Sequence, residues 1–97
     1  MIDRKRRGVK NWDDMTIVIA KSIGGFKIRY KFKNGRVMEY DMEKFARRNE
    51  KYFKPILDDP EIMKSLNFED GDKIYWSDMM DIPSDFLYCS GTIVKEY

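Results

Sequence analysis

The chain of 97 residues contains no histidine. That removes the commonest general base near neutral pH and the commonest transition-metal ligand. Nucleophilic triads of the Ser-His or Cys-His type are impossible, and Ser77, Ser84, Ser90 and Cys89 have no evident activating partner. We expect no catalytic residues and no cofactor. Cys89 is the single cysteine, which excludes an internal disulfide and any multi-cysteine metal cage and favours a cytoplasmic setting. Long apolar runs are missing as well. Met15 to Ala20 is too short for a spanning helix or a signal core, so we expect neither a targeting segment nor a membrane partner.

What remains is a short chain with 42% hydrophobic residues, enough for one core and too little for two domains. Its net charge of +2 conceals two opposed halves. Residues 1 to 57 hold 16 Lys and Arg against 7 Asp and Glu, net +9, and residues 58 to 97 hold 3 against 10, net −7. Either the halves fold against each other and their fields cancel, or the molecule offers a basic and an acidic face to different partners. Residues 1–14 read as a basic arm carrying Arg4-Lys5-Arg6-Arg7, tethered near Trp12 and dependent on a partner for its order. Residues 15–97 read as a single α+β domain.

The clearest element is a strand in which Phe26, Ile28, Tyr30 and Phe32 alternate with Lys27, Arg29, Lys31 and Lys33, burying one face and solvating the other. A two-residue turn at Asn34-Gly35 would oppose Tyr30 to Glu39 and Ile28 to Asp41, setting carboxylates on the apolar face. A three-residue loop, Lys33 to Gly35, opposes Tyr30 to Met38, Ile28 to Tyr40, Arg29 to Glu39 and Lys27 to Asp41, and needs Gly35 at positive φ. The second register is predicted. Met15 to Ala20 supplies an earlier strand. Asp41 is placed as N-cap to a helix from Met42 that Pro55 stops, and Asp59 as N-cap to a short helix reaching about Leu66. Lys73 to Trp76 forms a strand with Ile74 and Trp76 on one face, Ser77 to Asp81 a reversal, Ser84 to Tyr88 a helical turn, and Thr92 to Val94 a last edge strand. The prediction is an α+β fold: a small antiparallel sheet led by a three-strand meander, with one or two short helices packed on one face.

An ordered series of short motifs runs through this framework: Phe32-Lys33-Asn34-Gly35, Tyr40-Asp41-Met42, Phe53 with Leu57-Asp58-Asp59-Pro60-Glu61, Ile74 with Trp76, and Asp81-Ile82-Pro83 followed by Leu87-Tyr88. Over about two thirds of its length the chain resembles the bacterial domain of unknown function family 2442, by the order and spacing of these motifs. Family members sometimes carry a helix-turn-helix domain after this module. Nine residues follow Tyr88, so that appendage is not expected here. Members are often encoded beside a second small protein in an arrangement interpreted as a toxin and antitoxin pair. The resemblance thus implies an antitoxin-like, accessory or inhibitory binding role in a bacterial or mobile-element system.

The acidic groups Asp58-Asp59-Glu61, Glu69-Asp70-Asp72 and Asp78-Asp81-Asp85 lack the spacing of a calcium loop and read as caps and turns, so no metal ligand is assigned. The candidate partner-binding residues are Arg4, Lys5, Arg6 and Arg7 in the arm, Lys31, Lys33 and Arg36 at the hairpin's turn end, and Met79 and Met80, an adaptable pair beside Trp76. The three hairpin cations have no cross-strand acid in the predicted register. They point to a protein partner that is acidic at the contact. Nucleic acid is the alternative, and Tyr30 and Phe32 on the opposite face cannot stack its bases.

Overall fold

The computed structural model describes residues 12–97, from a short 3₁₀ turn at Trp12–Met15 onward. Three strands follow in a meander, β1 (Ile17–Gly24), β2 (Lys27–Phe32) and β3 (Val37–Asp41). Next come two short helices, α1 (Glu43–Arg48) and α2 (Glu50–Asp58), and a 3₁₀ turn at Pro60–Ser65. The chain ends with β4 (Lys73–Ser77), β5 (Met80–Pro83), α3 (Ser84–Ser90) and β6 (Thr92–Val94). The strands form a four-stranded antiparallel sheet in the order β1-β2-β3-β6 and a separate β4-β5 hairpin, so the fold is α+β. No helix among the described residues is long and apolar enough to cross a membrane.

The β2-β3 register is the three-residue-loop one. Tyr30 faces Met38, Ile28 faces Tyr40, Arg29 faces Glu39 and Lys27 faces Asp41. Gly35 stands at φ +93°, and its N–H donates to the Phe32 carbonyl. Any other residue there would enter the left-handed region. Ile28, Tyr30, Phe32 and Met38 are buried, while Tyr40 and Phe26, expected beside them, are only half-buried at the sheet's far end. Met15, Met42, Ala46, Phe53, Ile56, Met63, Ile74, Ile82 and Leu87 complete one core between this face, the helices and the β4-β5 hairpin.

The helical segment departs from expectation in two places. Asn49 divides it: the Asn49 N–H reaches both Phe45 and Ala46 carbonyls, and its side-chain amide also donates to the Phe45 carbonyl at 2.8 Å. A side chain that competes for backbone acceptors ends a helix turn. Pro55, expected to stop the helix, lies inside α2, which runs to Asp58. The exposed Pro55 ring costs about 3 kcal/mol in a helix interior. Phe53 and Ile56 are buried on either side of it, and two such side chains offset that cost at about 1.5–3 kcal/mol each.

Capping by the two aspartates takes related forms. The Asp59 carboxylate accepts from the Glu61 N–H at 3.2 Å with Pro60 in the first turn, as expected. The Asp41 carboxylate accepts from the Glu43 N–H at 3.1 Å, but Met42 occupies the N-cap position, so the helix begins one residue later than predicted. The reversal assigned to Ser77–Asp81 is shorter than expected. Met80 and Asp81 already belong to β5, which was not predicted because four residues ending in proline carry little strand signal.

Tyr30 ties the sheet to α3. Its hydroxyl donates to the Leu87 carbonyl at 2.9 Å in the core. Burial, with a smaller contribution from nearby Tyr40, raises its pKa far above the ordinary tyrosine range. The folded state therefore keeps a proton that the unfolded chain releases above pH about 10. Stability is full below that pH and falls as pH rises, by about 1.4 kcal/mol per pH unit for this one proton. Denaturant titrations between pH 9 and 11 should give a limb shallower by one proton in Tyr30→Phe than in the wild type.

Candidate partner-binding surface

The sheet's outer face, away from the helices, carries Lys27, Arg29 and Lys31 from β2, with Ile19 and Lys21 opposite them on β1. Arg29 is fully engaged. Its Nε donates to Glu39 at 2.7 Å, its second terminal nitrogen pairs with the same carboxylate, and Nη1 donates to the Tyr97 backbone oxygen at 2.7 Å. Lys21 lies over the Tyr97 ring at 4.2 Å. The C-terminal residues thus cover the middle of this face, leaving the turn end exposed.

At that end Lys31 and Lys33 are exposed, and no ion pair joins Lys31 to another described residue. Arg36 is held differently. It sits opposite Phe32 on the helix-bearing side, its backbone carbonyl accepting from the Phe32 N–H, and its guanidinium carbon lies 4.2 Å from the centroid of the Tyr88 ring. Tyr88 is almost fully buried and packs edge-on against Phe32 at 4.8 Å. Asn34 closes the arrangement: its side-chain oxygen accepts from the Arg36 N–H at 3.0 Å, and its Nδ2 donates to the Tyr88 hydroxyl at 3.2 Å. The three cations rim the turn from both sides instead of sharing one face.

Five ion pairs between described residues are local. Arg29–Glu39, Arg47–Glu43, Lys54–Asp58, Lys64–Glu61 and Lys73–Asp81 join neighbours in a helix, a turn or a hairpin. Of these only Lys54–Asp58, one helical turn apart, crosses from the basic to the acidic half. Yet the halves do approach. The Ile17 N–H donates to the Gly71 carbonyl at 2.8 Å, and Ile17 pairs with Phe32. The acidic turn Glu69–Asp72 therefore lies one strand away from the hairpin's turn end.

The two methionines separate. Met79 is 61% exposed at the β4-β5 turn, whereas Met80 is buried in the core. Met80 is thus corrected from a surface candidate to a core residue. Strand alternation explains it: Met80 and Ile82 share the inner face of β5, and both are buried. Trp76 is half-buried, with its indole N–H donating to the Met63 carbonyl at 3.2 Å. Met79 sits at the tip of β4-β5, at the opposite end of β4 from the Gly71 turn, so the structure does not bring it to Lys31, Lys33 and Arg36. Arg4, Lys5, Arg6 and Arg7 lie outside the described residues.

Sequence reasoning missed the Tyr88 platform under Arg36, because 52 residues separate the two and no periodicity links them. It also missed a groove of about 350 Å³ along α3, lined by Pro83, Asp85, Phe86 and Cys89. Phe86 forms its aromatic wall, packed against Phe45 at 5.2 Å and Tyr40 at 5.7 Å. The helical spacing of Phe86 and Cys89 was the available signal. No protein-family model matches the chain, and no curated protein or solved structure shows significant similarity to it.

Proposed function

We propose that this chain is a small cytoplasmic protein-binding module that acts by association and not by catalysis. In this reading it is the antitoxin-like or accessory member of a bacterial or mobile-element pair, as its resemblance to family 2442 implies. The contact is the turn end of the β2-β3 hairpin, and the partner is acidic there. One observation carries the reading. Lys31 is exposed without an ion pair to a described residue, beside an Arg36 that is fixed by packing and also makes no such pair. Uncompensated charge on a rigid turn steers an oppositely charged partner and exacts little ordering entropy. The absence of histidine supports a non-enzymatic role.

Co-purification from the native host at low and moderate salt tests it, with wild type run beside a Lys31→Glu, Lys33→Glu variant. Both residues are solvent-exposed, so the variant should melt within a few degrees of the wild type. It should lose a stoichiometric protein partner that the wild type retains. Equal retention by both would refute the surface, and nucleic acid released steeply with salt would favour a nucleic-acid-binding regulator.

A further inference from the structure

β1 is bulged where it passes the turn end of the hairpin. Ile17 lies opposite Phe32 and Ile19 opposite Lys31, so Val18 is an extra residue in the strand. Strict alternation from the buried Ile17 would return Ile19 to the core. The bulge instead leaves Val18 and Ile19 both exposed, two adjacent aliphatic side chains in solvent at 46% and 39%. They are flanked by opposite charges. Lys31, the cross-strand partner of Ile19, and Lys33 are exposed on the β2 side. On the edge of β1 away from β2, the Ile17 N–H holds the Gly71 carbonyl at 2.8 Å. Asp70 and Asp72, on either side of Gly71, are exposed and form no ion pair with a described residue. Across the strands the order is acidic, apolar, basic.

We propose that this patch is the contact between two copies of the chain, packed outer face to outer face about a two-fold axis that runs along β1. Such an axis exchanges the flanks. The acidic turn of each copy comes over Lys31 and Lys33 of the other, and Val18 and Ile19 of both meet at the centre. An axis across the strands would set like charge over like charge, so complementarity selects the first. Edge-to-edge pairing, the usual route for an open strand, is blocked at Ile17 by the Gly71 turn and interrupted at Val18 by the bulge. An apolar centre within a charged rim is the anatomy of a protein interface. The proposal goes beyond the reading above, since it needs no second protein. A partner that binds the turn end competes with the second copy for Lys31 and Lys33.

Sedimentation equilibrium of the full chain, from micromolar to millimolar concentration, tests it. The charge-reversed variants are Lys31→Glu, Lys33→Glu and Asp70→Lys, Asp72→Lys. All four positions are exposed, and thermal melts confirm that both variants fold. The wild type should dimerise, less tightly as salt rises from about 20 to 500 mM. Each variant alone sets like charges face to face and should self-associate about tenfold more weakly or worse. Mixed in equal amounts, the two variants should dimerise with each other about as well as the wild type does with itself, because every flank again meets its opposite. A wild type that stays monomeric throughout would overturn the proposal and leave the partner surface untouched. A dimer that either reversal leaves intact would overturn it too, as would two monomeric variants that fail to restore one another.

Discussion

Gly71→Ala is expected to destabilise the fold by about 3–6 kcal/mol, a large share of the roughly 5–15 kcal/mol that holds a small domain together. Three effects add. Gly71 has φ +78°, where an L side chain costs about 1–2 kcal/mol. A Cβ there would stand 2.6 Å from Thr16 Cγ2 and 2.8 Å from the Ile17 carbonyl oxygen. Relieving that overlap costs about 1–3 kcal/mol. Pushing the two segments apart also strains the bond from the Ile17 N–H to the Gly71 carbonyl, worth about 1 kcal/mol. Gly35 provides the internal control, since it has φ +93° and open space around it. Gly35→Ala should lose only the conformational part, about 1–2 kcal/mol. At about 4–8 °C per kcal/mol, Gly71→Ala should lower the melting temperature by roughly 12 °C or more and Gly35→Ala by clearly less. Equal losses would mean that the contact between the Gly71 turn and β1 contributes little.

Gly91→Ala is expected to cost about 2–4 kcal/mol for a different reason. Its backbone is ordinary, with φ −78° and ψ 173°, but a Cβ would overlap the Tyr30 hydroxyl and sit 2.9 Å from the Glu39 carbonyl oxygen. The side chain that Gly91 makes room for is the one whose hydroxyl joins β2 to α3. Tyr30→Phe alone should cost about 1–2 kcal/mol, by leaving the Leu87 carbonyl without its donor. Because Phe removes the atom that the new methyl meets, the two substitutions together should cost less than their sum, with a coupling of about 1–2 kcal/mol. Denaturant unfolding of the four proteins measures this. Additivity within about 0.5 kcal/mol would show that the Glu39 and Leu87 backbone, not the hydroxyl, sets the space at Gly91.

The hairpin was legible because two periodicities had to agree. Phe26 to Phe32 alternates strictly, and an odd loop is needed to keep Met38 and Tyr40 on the same side, so parity decided the register that the structure has. The Asp59-Pro60 start was legible for a similar local reason, as cap and first-turn proline are adjacent. Pro55 misled because the local rule was applied without knowing that Phe53 and Ile56 are both buried. At Met79-Met80 the sequence supplied two equivalent residues, and only the β4-β5 pairing shows which one enters the core. Arg36 was identified from its unpaired position in the hairpin, but its platform comes from α3. Tertiary packing of that kind leaves no mark on either local segment.

Electrostatics connects these parts to function. Folding sets the acidic Gly71 turn beside β1, while five ion pairs join near neighbours within a hairpin, a helix or a turn. The positive turn end therefore acts over a short range, about 8 Å at physiological ionic strength and further at low salt. The most direct measurement is the association rate of the co-purified partner as a function of salt, for the wild type and for Lys31→Glu, Lys33→Glu. The wild-type rate should fall as salt rises from about 20 to 150 mM, and the variant should be about tenfold slower at low salt with a flatter dependence. Identical rates and identical salt dependence would contradict the assignment of the hairpin's turn end as the binding surface.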